Sequence, residues 1–154
     1  MGIDIHVRVC YYDSNDNKYK EIKLYQKKEG QLKPISLFSG RNCELFGYLN
    51  GAEDSYIPIS RINTENGSIP QELLEEVLKC KNNSGYYDFL ETNLADLKLY
   101  LFKHPKVRDW DEEDVGYKDN PVKYFVERID AILSIASIPS YFDSEIRILY
   151  WFDR

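Results

Sequence analysis

The sequence predicts an α+β fold: an antiparallel sheet built from an N-terminal hairpin and a C-terminal strand, with three to four helices packed on it. Three observations carry this. Near the N-terminus Ile3, Ile5, Val7 and Val9 alternate with Asp4, His6, Arg8 and Cys10, the period of two of a strand with unlike faces. Between residues 42 and 137, apolar residues recur at helical spacing in several stretches. Residues 145–152 alternate again, and both sets are largely apolar, which places that strand inside a sheet. The 154 residues read as a single domain spanning 1–154.

Residues 3–12 and 18–26 read as a hairpin, because Asp13, Ser14, Asn15, Asp16 and Asn17 between them supply turn chemistry. A third strand is expected over 32–38, with Pro34 suited to an edge. Leu45, Phe46 and Leu49 mark a short helix that Asn50 and Gly51 end. A short strand is expected at 56–59. Ser68 and Gln71, with Pro70 in the first turn, read as a capping box for a helix to about Lys81 that buries Leu73, Leu74, Val77 and Leu78. Asn93 caps the next helix, which turns Leu94, Leu97 and Leu101 inward and ends at Pro105. The last helix runs over about 122–137, with a stripe of Val122, Phe125, Ile129, Ile132, Leu133 and Ala136. The expected sheet takes strands 3–12, 18–26, 32–38 and 145–152, with the helices on one face. Pairing the last strand with the first would bring Glu145 and Arg147 toward Asp4, His6 and Arg8.

The net charge of −6 repels phosphate, and the lysines are spread along the hairpin, so direct nucleic-acid binding is not expected. A partner protein with a basic surface is the better electrostatic match. Thirteen tyrosines suit an apolar yet hydrogen-bonding contact surface, and they also suit an AT-rich genome. Cys10, Cys43 and Cys80 are far apart and form no C-x-x-C, which points to reduced thiols in a cytoplasm. No long apolar run predicts a membrane span, and no signal peptide is expected.

The sequence contains no complete catalytic set and no cofactor motif. Asp4 and His6 form an acid–imidazole pair on one strand face. They are read either as a polar face neutralised by Arg8 and Arg41 or as part of a metal site for a hydrolase or nuclease. Ser39, Gly40, Arg41 and Asn42 before a helix read as a cap or an anion site. Asp109, Trp110, Asp111, Glu112, Glu113 and Asp114 place five carboxylates around one tryptophan. They are a solvated loop or a contact for a basic partner, with Trp110 as the anchor.

Gly2-Ile3-Asp4-Ile5-His6, followed by Gly40-Arg41-Asn42-Cys43-Glu44-Leu45-Phe46, resembles a group of small uncharacterised phage and prophage proteins. Those proteins open with Met-Gly-x-Asp-Ile-His and later carry Gly-Arg-Asp/Asn-x-x-Leu-Phe. Many then show a His-Ser-x-Ser-Trp-Leu-Thr-like segment. Here that position reads Tyr86-Tyr87-Asp88-Phe89-Leu90-Glu91-Thr92, without the histidine. The resemblance implies a mobile-element origin and brings no activity with it. In size and charge the chain is also similar to acidic inhibitors of host-defence nucleases, anti-CRISPR proteins among them. The expectation is an accessory protein that binds and inhibits a host protein in the host cytoplasm, such as a CRISPR effector nuclease, without a cofactor.

Overall fold

A computed structural model describes residues 3–38, 42–51, 56–65, 67–109 and 116–154. The strands β1 (Asp4–Asp13), β2 (Lys18–Glu21), β5 (Ser60–Arg61), β6 (Tyr86–Asn93) and β9 (Arg147–Asp153) form one antiparallel sheet in the order β2-β1-β9-β6-β5. Two hairpins stand apart from it, β3 (Tyr25–Lys28) with β4 (Gln31–Pro34), and β7 (Lys106–Asp109) with β8 (Gly116–Asp119). The helices are α1 (Cys43–Leu49), α2 (Gln71–Lys81), α3 (Leu94–Lys103) and α4 (Val122–Ile135). A 3-10 turn, Asp143–Glu145, precedes β9. This is the α+β class with an antiparallel sheet that the alternation predicts.

The centre of the sheet is β9, which pairs with β1 on one side and β6 on the other. Ile148, Leu149, Tyr150, Trp151 and Phe152 are all buried, as two apolar faces require. Ile148, Tyr150 and Phe152 join Val7 and Val9 in the larger core, under residues of α1, α3 and α4. In register these are the pairs Val9↔Ile148, Val7↔Tyr150 and Ile5↔Phe152. Tyr150 donates its hydroxyl to the Leu49 carbonyl at 2.5 Å, which ties α1 to the sheet. Leu149 and Trp151 point to the other face, where Leu73 and Val77 of α2, with Ile62, Ile69 and Phe89, close a second core. Helices therefore cover both faces, and not one face as the sequence reading has it. The alternation in β1 reads as apolar against polar, yet Cys10 on its polar face is buried in the second core.

Asn42 caps α1 by accepting from the Leu45 N–H at 3.0 Å, and Asn93 caps α3 by accepting from the Asp96 N–H at 2.9 Å. Such caps each stabilise a helix by about 1 kcal/mol. The expected capping box before α2 is not formed, because the N-cap is Pro70, which has no side-chain oxygen. Ser68 instead meets Arg147. On α2, Leu73 and Val77 are buried while Leu78 is 42% exposed, so the buried stripe is narrower than expected.

Three strand expectations change. The predicted strand over 18–26 splits, because the chain leaves β1 after Ile22 donates to the Val9 carbonyl. Its second half pairs with β4 alone, so the third predicted strand lies outside the main sheet. The place in the sheet goes to β6, which the sequence reading left without a strand. A bulge between Tyr87 and Leu90 interrupts its register, with Asp88 at φ 53°, and this breaks the period of two. The short strand expected at 56–59 is not formed; among the described residues the only strand pairing nearby is the two-residue β5 at Ser60–Arg61.

Candidate functional site

The best-formed candidate lies where β1 loses its neighbour. β2 pairs only with Cys10 to Asp13, so His6 and Arg8 project from a stretch of β1 that has β9 on one side and, among the described residues, no strand on the other. A cleft of about 420 Å3 opens there. One wall is ionic, made by His6, Arg8, Glu21 and Glu76. The other is apolar, made by Leu24, Tyr25, Pro34 and Ile35 at the base of the β3–β4 hairpin.

His6, Arg8 and Glu76 on the ionic wall are each held by an element distant in sequence. His6 Nε2 lies 2.7 Å from Asp153 Oδ2, and its ring stacks 5.8 Å from the buried Trp151 ring. Arg8 donates to Glu76 at 2.5 Å and to the Val7 carbonyl at 3.3 Å, and its guanidinium sits over Trp151 at 5.5 Å. A guanidinium fixed over an indole and bonded to a carboxylate is both oriented and neutralised. Lys23 is taken by Glu72 at 2.8 Å. Glu21 differs from these. Its side chain is 10% exposed, its nearest cation is Arg8 Nε at 4.0 Å, and among the described residues it accepts no hydrogen bond. Burial raises its carboxyl above the usual glutamate range; Arg8 and Lys23 oppose this, and Glu76 and Glu72 add to it.

The sequence reading brings Arg147 and Glu145 to the charged end of β1, and the structure does not. Arg147 pairs in register with Cys10, bonds Glu91 and the Ser68 carbonyl and hydroxyl, and covers the Tyr19 ring at 5.2 Å. Glu145 accepts from the Phe142 N–H instead. Asp4 stands opposite Asp153 in register. Among the described residues there is no group of three or more His, Cys, Asp or Glu side chains placed to hold a metal ion. Cys10 is buried, and burial first, then Glu21, pushes its thiol up to about 12, so it is not an available thiolate.

Asp109 ends β7, directly opposite Gly116 of β8. The acidic segment thus leaves and re-enters the body at adjacent points. Lys106 clamps the hairpin base through Asp119 at 2.6 Å, and Lys118 bonds Glu44 of α1 at 2.8 Å. Trp110, Asp111, Glu112, Glu113 and Asp114 lie outside the described residues, as do Ser39, Gly40 and Arg41. Sequence reasoning found His6 and Arg8 but missed Glu21, Glu76 and Trp151. Glu21 had no signal of its own, since it lies in the interior of the expected strand 18–26.

No family model matches the chain, and neither a curated protein nor a solved structure matches it significantly. Among the described residues no helix is long and apolar enough to cross a membrane.

Proposed function

We propose that the chain is a non-enzymatic accessory protein of a phage or mobile element that binds a host protein with a basic surface and blocks it in the host cytoplasm. A CRISPR effector nuclease is the host protein this reading tests first. The observation that carries the proposal is the use made of the ionisable groups on the sheet. His6, Arg8 and Arg147 are each bonded to a carboxylate of the chain, which supports a structural use of these groups. Acidic residues 109–114 between the paired strands β7 and β8 are the proposed contact, with Trp110 as anchor. The phage-like motifs at both ends of the first 46 residues agree with the origin proposed.

The competing reading, a metal-dependent hydrolase or nuclease using Asp4 and His6, would need further ligands beside them, and among the described residues no group of three or more His, Cys, Asp or Glu side chains is placed to hold a metal ion. The experiment is affinity purification of the tagged chain from the host, identification of what is retained, and assay of that protein with and without the chain. The proposal expects a basic host protein whose activity falls as the chain is titrated. Stoichiometric metal in the purified chain, lost together with the biological effect in His6→Ala, would overturn it.

A further inference from the structure

The β3–β4 hairpin leaves the main sheet as a ribbon with every residue of both strands exposed. Its two-residue loop, Glu29 at φ 54° and Gly30 at φ 78°, matches the type I′ turn favoured in tight hairpins. Lys27, Lys28 and Lys33 make no ion pair or hydrogen bond among the described residues, and Glu29 is the one acid between Tyr25 and Pro34. Three lysines against one glutamate make the ribbon a basic patch in a chain of net charge −6. The register Tyr25↔Pro34 and Lys27↔Leu32 sets these four residues on one face, where Tyr25 is 53% and Leu32 75% exposed. That face offers an aromatic ring, an aliphatic side chain and a cation together. Residues 109–114 carry the complementary set, five carboxylates and Trp110, and they begin at Asp109, which pairs with Gly116 at the end of the β7–β8 ladder.

We propose that the β3–β4 hairpin of one copy receives residues 109–114 of a second copy, with Lys27, Lys28 and Lys33 meeting the carboxylates and Trp110 packing on Tyr25 and Leu32 beside Lys27. The contact is head-to-tail, because two hairpins meeting each other would set lysine against lysine. Two chains of net charge −6 repel at long range, but salt confines that repulsion to about 8 Å at physiological strength, and inside that distance the facing groups decide. A phosphate polymer fits less well, because its charge runs past the hairpin onto the rest of an acidic chain. Exposed ion pairs are individually weak, so the association is weak. Each copy carries both halves of the contact, so the association continues into open assemblies. The inference rests on the reading of residues 109–114 as a contact surface, and adds that self-association competes with the host protein for them.

The test is sedimentation of the full chain over a range of concentration up to about 1 mM. Two variants with melting temperatures matched to the parent accompany it. One carries Lys27→Gln, Lys28→Gln and Lys33→Gln. The other carries Asp109→Asn, Asp111→Asn, Glu112→Gln, Glu113→Gln and Asp114→Asn. The parent should grow in mass with concentration, with a dissociation constant of about 1 mM or less that rises about tenfold in molar salt. Each variant alone should stay monomeric, and their equimolar mixture should stop at a dimer, since it holds one intact hairpin and one intact acidic segment per pair. Net charge alone predicts the reverse for the acid variant, which is less negative than the parent and would associate more. A parent that is monomeric throughout, a variant that associates like the parent, or a mixture that stays monomeric would overturn the inference. So would binding of duplex DNA or phosphatidylserine vesicles that the lysine variant loses while the parent stays monomeric. A host protein captured through residues 109–114 by a monomeric chain removes the self-contact alone. Self-association with no basic partner in the host removes the function proposed above and leaves the self-contact.

Discussion

His6 and Asp153 meet at 2.7 Å although 147 positions separate them in the chain. Asp153 stands opposite Asp4 in register and His6 opposite Trp151, so the contact is a diagonal one across the two central strands. Both side chains are partly exposed, which limits what the pair contributes. A double-mutant cycle of His6→Ala and Asp153→Ala, read by urea unfolding, should give a coupling of about 0.5–1 kcal/mol. Loss of folding in His6→Ala alone would show that the imidazole holds more than this pair.

Removing residues after Ser140 takes away β9, the strand that pairs with β1 and β6 and fills both cores. Each of its large apolar side chains contributes about 1.5–3 kcal/mol on burial, so their sum is comparable to the whole stability of an ordinary domain, about 5–15 kcal/mol. The truncated chain should lose its cooperative melt in circular dichroism. A soluble truncation that melts cooperatively would contradict the central place given to β9.

Cys43 is exposed at the start of α1, while Cys10 is buried with its thiol pushed up to about 12. A disulfide-exchange reagent at neutral pH should therefore modify Cys43 in the native protein. Cys10 should react only as the chain unfolds. Comparing rates with and without denaturant, with Cys43→Ser to assign the fast thiol, checks this. Equal native reactivity of Cys10 and Cys43 would refute it.

Glu21 has a carboxyl raised by burial, so the folded chain holds its proton more tightly than the unfolded chain does. Its contribution to stability is therefore complete below the ordinary glutamate range and is lost as pH rises through the raised value. Arg8 and Lys23 reduce the effect, and Glu72 and Glu76 enlarge it. Glu21→Gln should be at least as stable as the parent at neutral pH, and its advantage should shrink as pH falls to about 4. Melting temperatures of both proteins across that range decide it. A variant that loses stability at neutral pH would mean that Glu21 is well paired.

Elements whose signal lies within one run of residues were legible from the sequence. β1, α3, α4 and β9 show their own periods, and Asn42 and Asn93 are caps that the sequence displays. What stayed hidden depends on distant contacts or on a broken period. Asp88 sits in a bulge, so Tyr86, Tyr87, Phe89 and Leu90 fall as apolar pairs and not as an alternation. β7 and β8 are four residues each and mostly charged, too short for a pattern. The expected strands 18–26 and 32–38 overlap β3 and β4 only at Tyr25–Gln26 and Leu32–Pro34, and nothing local says that this hairpin detaches after Ile22. For the site, Arg8 was named, yet its partners Glu76 and Trp151 lie 68 and 143 positions away. Glu21 becomes conspicuous only when its burial and missing hydrogen bond are known.

In the proposed function, acidic residues 109–114 bring this chain to a basic host protein. The most direct measurement is the association rate with the captured partner as salt is varied, for the parent and for a variant with Asp109, Asp111, Glu112, Glu113 and Asp114 neutralised to amides. Charges at the rim of a contact act mainly on association and are screened beyond about 8 Å at physiological salt. The neutralised chain should associate more slowly and with a flatter salt dependence, while Trp110→Ala should speed release with melting unchanged. An association rate and salt slope the same as the parent's would contradict the claim that this surface makes the contact.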